Sequence, residues 1–127
     1  MASPNGNNKV IVWDDAMEQC GGDEEFLREL LDDLRGEVDV QATRIVELLQ
    51  TRPVDWIKVK RAAHVIKGAS ANLMCTQMNL ASSDLEMKAG RFADGLDHPT
   101  NDLGTEICTE LQNSVNAFHR MLESIGV

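Results

Sequence analysis

Tyrosine is absent from this chain, and aromatic residues make up only 4% of its 127 positions. A core must therefore be built from Leu, Ile, Val, Ala and Met, as in helical bundles. Cysteine is scarce as well. Cys20, Cys75 and Cys108 are odd in number and widely scattered, with no Cys-x-x-Cys pair, so neither a disulfide framework nor a zinc site is indicated and a reducing interior is the natural compartment. Long apolar runs are missing: the stretch Val10 to Trp13 is far too short for a signal sequence or a membrane span. The small, polar, Gly/Pro/Asn-rich start is read as a flexible tail over residues 1–9, followed by a single domain at 10–127. The expected location is cytoplasmic, or also nuclear in a eukaryote.

A net charge of -9 excludes nonspecific binding to nucleic acid or to an anionic membrane, whose phosphates would repel such a surface. That charge is unevenly spread. No acidic residue occurs from Trp56 to Ser83, where Lys58, Lys60, Arg61 and Lys67 contribute +4 and leave -13 for the remainder.

The apolar residues recur at helical spacing. A short helix is expected at Asp14 to Cys20, stopped by Gly21-Gly22. Asp23 is a good N-cap, with Glu24 and Glu25 favourable in the first turn, and Leu27, Leu31, Leu34, Val38, Ala42, Ile45 and Leu49 carry a long helix to about Gln50. Pro53 marks the break. A second helix fits Val54 to about Asn72, with Val59, Ala62, Ile66, Ala69 and Leu73 inward and Trp56, Ala63 and Ser70 on the flank. Thr76 is the expected cap of a third helix, striped by Met78, Ala81, Leu85, Ala89 and Phe92 and ending before Asp94-Gly95. Thr100 or Asn101 would cap a fourth, striped by Leu103, Ile107, Leu111, Val115, Phe118, Leu122 and Ile125. Four amphipathic helices with short connections imply an all-α fold, an antiparallel four-helix bundle with a short additional N-terminal helix across one end. One complete bundle buries its own stripes, so a monomer is expected.

The segment Ala63-His64-Val65-Ile66-Lys67-Gly68-Ala69-Ser70 holds residues that packing does not require. At about 100° per residue, His64 falls opposite Ile66 and Leu73, with Lys60, Gly68 and Ala71 on its side and Lys67 within one ridge. Imidazole titrates near pH ~6.5, so at cytosolic pH it is largely an available nitrogen nucleophile. Attack on a phosphoryl donor would give a phosphohistidine whose negative charge Lys67 offsets at i+3, with Lys60 and Arg61 adding a weaker field. Gly68 is the telling residue, because a mid-helix glycine costs ~1 kcal/mol relative to alanine; its missing side chain lets a partner come close to the nucleophile. Ser70 lies towards the inner flank, where it can bond back to a carbonyl. Each residue alone has a plain surface or packing explanation; their conjunction at fixed helical offsets inside a basic island shifts the balance towards a site.

The run His64-x-x-Lys67-Gly68-x-Ser70 resembles the signature of histidine phosphotransfer (HPt) domains, the relay modules of multistep two-component signalling. The likeness extends to Trp13-Asp14 through Leu34, with its Gly-Gly-Asp-Glu-Glu entry into a long helix, and to Leu80-Ala81 and Leu85-Glu86, which look like the helix packed beside the histidine. The resemblance implies that His64 is the phosphoacceptor, Lys67 its charge partner and Gly68 the point of close approach. It implies as partners the receiver domains of response regulators and hybrid histidine kinases, with a divalent metal ion on the receiver and no intrinsic cofactor. The family commonly has Gln on the adjacent helix bonding the other imidazole nitrogen; here that position is Glu86, either holding the ring tautomer or a simple surface glutamate. Many members have Gly where this chain has Met74, so either a smoothly continued helix or a bulkier contact with the receiver is expected there.

Docking candidates around His64 are Ile57 and Val65, then Met17, Leu27 and Met74; Ile57 could equally be a helix-end contact with the short first helix. No Walker loop or Gly-rich kinase lid is present, so a kinase activity of its own is not expected and the chain needs a donor. The rival readings are a bundle that binds a receiver or kinase without relaying phosphate, and a metal-binding bundle. Against the latter, the chain lacks a Glu-x-x-His pair, and His64, His98 and His119 have no ligand spacing. His98 is read as a loop residue, His119 as a surface residue of the last helix, Cys75 and Cys108 as core, and Met17, Met74, Met78 and Met87 as packing.

Overall fold

The computed structural model describes residues 9–99 and 103–127, with positions 103–105, 107 and 108 in backbone only. Five helices follow one another: α1 (Trp13–Gln19), α2 (Glu24–Gln50), α3 (Trp56–Asn72), α4 (Thr76–Ala93) and α5 (Leu103–Ile125), and no strand occurs among the described residues. The expected tail lies outside the described residues as far as Asn8. Lys9 is tied down, its carbonyl accepting from the Gln77 N–H and the Thr76 hydroxyl, both at 2.9 Å. The alternative caps Thr100 and Asn101, and the side chains of Leu103, Ile107 and Cys108, also fall outside the described set.

The four long helices pack in a closed ring, α2 on α3, α3 on α4, α4 on α5 and α5 on α2, while α1 lies against α2. The stripes meet in the middle. Leu27, Leu31, Leu34, Val38 and Ile45 of α2, Val59, Ala62 and Ile66 of α3, all five stripe residues of α4, and Leu111, Val115, Phe118 and Leu122 of α5 are buried. Ala42, Leu49 and Ile125 pack half-buried at the edge. Ala63 and Ser70 are fully buried rather than flanking: small side chains let α4 approach closely, and α3 and α4 form the most extensive helix pair. Leu27 is likewise core, 0% exposed, which removes it from the docking candidates.

Helix ends follow from local chemistry. Asp23 caps α2 by accepting from the Phe26 N–H at 3.1 Å, and Asp55 caps α3 by accepting from the Lys58 N–H at 3.2 Å. Thr76 is not a cap: it is the first residue of α4, its hydroxyl is turned to the Lys9 carbonyl, and Cys75 holds the N-cap position without a side-chain bond. At the C-terminus of α5, Arg28 donates to the Ile125 carbonyl and Arg35 to that of Val127 at 3.1 Å, so cations from α2 cover the negative end of α5.

The end of α3 corrects the expectation for Met74. The Cys75 N–H bonds the Ser70 carbonyl at 2.9 Å and the Met74 N–H that of Ala71 at 3.2 Å, the two bonds of a Schellman motif, which needs a left-handed residue at the first position past the cap. Gly21 and Gly95 take that position after α1 and α4, with φ of 68° and 73°, and the same paired bonds recur there; after α3 it is Met74, at φ 58°. The helix therefore stops instead of running on. Its side chain packs half-buried against the core rather than standing out as a receiver contact, and its carbonyl accepts from the Val12 N–H at 2.9 Å. A non-glycine residue there costs about 1 kcal/mol, which that packing offsets.

Candidate functional site

The cap at Asp55 starts α3 so that Val59, Ala62, Ile66 and Ser70 face inward, and the helical repeat then turns His64 out. Its side chain is 68% exposed. Ser70 is held at the back of this turn, its hydroxyl donating to the Ile66 carbonyl at 2.6 Å and to that of Lys67 at 3.1 Å. The Asn79 side-chain amide, from the first turn of α4, also donates to the Lys67 carbonyl at 2.9 Å, tying the start of α4 to the middle of α3. Neither Asn79 nor the register it sets could be read from the periodicity, since nothing local shows which turn of α4 meets which turn of α3.

With that register fixed, Glu86 comes to lie beside His64. One carboxylate oxygen is 2.5 Å from His64 Nδ1, and the other accepts from Lys67 Nζ at 2.9 Å. The Glu86 side chain is only 16% exposed, which excludes a simple surface glutamate. Burial alone would raise its carboxyl, but hydrogen bonds from Lys67 and His64, with their charges, hold it below the ordinary carboxylate value. Because a carboxylate can only accept, Nδ1 is the nitrogen that donates, and in the neutral ring this leaves the lone pair on Nε2. Among the described residues Nε2 has no partner.

Gly68 stands exposed one turn beyond His64, and a Cβ built on it would meet nothing within 4 Å. No neighbouring helix demands this glycine, so packing within the chain does not explain its cost. Ile57 is 51% exposed and Val65 36% exposed; with Arg61 they border the same face, whereas Met17 and Met74 are partly buried against the core. Ile57 is thus not covered by the short first helix. Lys60 leans across to α4, where its aliphatic end lies 3.6 Å from the place a Cβ would take on Gly90. Lys60, Lys67, Glu86, Met87, Gly90 and Arg91 line an open groove of about 330 Å³ between α3 and α4. Met87, expected in the core, is 56% exposed there, because the stripe of α4 passes through Leu85 and Ala89 instead.

The other titratable residues of interest lie elsewhere. His98 is exposed beyond α4. His119 is more than a surface residue: half-buried on α5, it meets Asp39 of α2 at 2.7 Å. Among the described residues no group of three or more His, Cys, Asp or Glu side chains converges to hold a metal ion. None of the described helices is long and apolar enough to cross a membrane.

Comparison with protein families decides the classification: the Hpt domain model matches residues 27–123. The chain belongs to the Hpt domain family. No curated protein and no solved structure matches it significantly. Hpt domains are helical bundles that act as histidine phosphotransfer intermediates in phosphorelays; they are not kinases, and they interact with receiver domains. In this Hpt domain the matched span holds His64, Lys67, Gly68 and Glu86 together with the groove, while α1 precedes it.

Proposed function

We propose that this Hpt domain, as a monomeric antiparallel four-helix bundle in the cytoplasm, relays a phosphoryl group between the phospho-aspartates of two receiver domains through Nε2 of His64. The observation that carries the reading is the pairing of Nδ1 with Glu86, which leaves an exposed Nε2 lone pair as the nucleophile. In the forward step Nε2 attacks phosphorus, the Nε2–P bond forms as the acyl O–P bond breaks, and the receiver's aspartate leaves as carboxylate. The ring keeps its Nδ1 proton and becomes positively charged, a charge that Glu86 faces directly. The second transfer reverses these bonds with a second aspartate.

The receiver brings its own carboxylates and divalent ion to the transferring phosphoryl group. This chain supplies a nucleophile of fixed tautomer, nearby cations and a surface open at Gly68, where a receiver loop can approach without meeting a side chain. Ile57 and Val65 give that surface an apolar border, as transient interfaces have.

The test is incubation with a phosphorylated receiver. Acid-labile, alkali-stable label on the wild type and none on His64→Gln is the expected result. Label persisting in His64→Gln would contradict the assignment, and receiver binding without label on the wild type would favour a non-relaying interaction module.

A further inference from the structure

Three cations line the groove beside His64, and two of them are already engaged. Lys67 Nζ is bound to Glu86 at 2.9 Å, and Arg91 Nε to Asp97 at 2.5 Å. Lys60 has no ion pair among the described residues. It stands one turn before His64 on the same face of α3, as Lys67 stands one turn after it. Across the groove Gly90 stands one turn from Glu86, so Lys60 over Gly90 and His64 beside Glu86 are successive rungs between α3 and α4. A side chain larger than methyl at position 90 would occupy the place where Lys60 lies.

We infer that Lys60, seated on Gly90, binds the phosphoryl oxygens once His64 is phosphorylated, while Lys67 remains shared with Glu86. The inference rests on the relay reading above and names the cation that serves it. If Lys67 alone took the phosphoryl charge, it would have to weaken its bond to Glu86 just as the ring turns positive and needs that carboxylate. Lys60 breaks no contact with a charged group in moving. Arg61, at i−3, falls on the other side of His64 from both lysines and from α4, so it does not complete this pair.

In a loose transition state the phosphoryl group approaches metaphosphate and sheds negative charge. A cation on its oxygens therefore favours phosphohistidine over the transition state for its loss, and removing the cation shortens the lifetime of the bond. The full chain is phosphorylated with phosphoramidate, which needs no protein partner, and loss of phosphohistidine at His64 is followed with time. Lys60→Ala is expected to lose it about three- to ten-fold faster, the scale of one partly exposed charge-assisted contact. Lys60→Arg should restore most of the lifetime. Gly90→Leu should shorten it as Lys60→Ala does, with no further change in the double variant. Lys58→Ala, about 120° round α3 from His64, controls for loss of a positive charge and should decay as the wild type does. A wild-type lifetime in Lys60→Ala, with the wild type labelled on His64, overturns the inference and leaves the relay intact. If neither phosphoramidate nor a phosphorylated receiver labels His64 in the wild type, the relay reading falls and this inference with it.

Discussion

A carboxylate has two acceptor oxygens, and at Glu86 each is used by a different residue of α3. Glutamine, with one oxygen and an amide group, could still accept from His64 Nδ1 but would offer Lys67 neither a second oxygen nor a charge. Glu86 also ties α3 to α4, which makes stability depend on pH. Its carboxyl is held below the ordinary value in the folded protein, so its contribution is complete above the unfolded value and lost as pH falls through the folded one. Wild-type Tm is therefore expected to fall more steeply than that of Glu86→Gln as pH is lowered from about 5 through the carboxylate range; parallel melting curves would refute this. Cys75 shows the opposite case of burial without a partner charge: its thiol is fully buried and pushed up to about 12. In the native protein it should resist alkylation and react after Cys20, which is half-buried, as peptide mapping by mass spectrometry would show.

Helix α3 presents His64, and its two ends fix where that imidazole points. Asp55→Ala removes the cap at one end and should cost about 1 kcal/mol in urea denaturation, with phosphohistidine still forming on His64. At the other end, Met74→Gly relieves a left-handed residue but loses half-buried packing and adds chain entropy. Stability within about 1 kcal/mol of wild type is expected, and a loss above about 2 would mean that the side chain matters more than the backbone. The helices were legible in the sequence because a three- or four-residue recurrence is a local property. The glycine stops after α1 and α4 were legible for the same reason. The stop at Met74 was not, because methionine carries no turn signal and its conformation is set by bonds to the carbonyls of Ser70 and Ala71. His64, Lys67 and Gly68 could be read from one face of one helix. Asn79, Gly90 and Arg91 could not, because their part depends on how α4 is set against α3.

Across the whole molecule, a ring of four helices around Leu, Val, Ile, Met and Phe118 carries a basic strip on an otherwise acidic surface. The strip lies on α3, and its Lys60 and Lys67 face α4, whose later half brings the acidic and basic residues of the groove. The rigidity of that pair rests on the shared core. Phe118, fully buried on α5, joins the side of the ring away from the site, and Phe118→Ala should cost about 3–5 kcal/mol in denaturant titration. A loss below about 1 kcal/mol would show that the core does not close around it.

In the proposed relay Glu86 fixes the His64 tautomer and thereby chooses the nitrogen that carries phosphate. Phosphorus–nitrogen coupling, measured by NMR on the nitrogen-labelled phosphoprotein, reports that nitrogen directly. Phosphorus on Nε2 of His64 with the proton on Nδ1 is the expected result. Phosphorus on Nδ1, or on any residue other than His64, would contradict it.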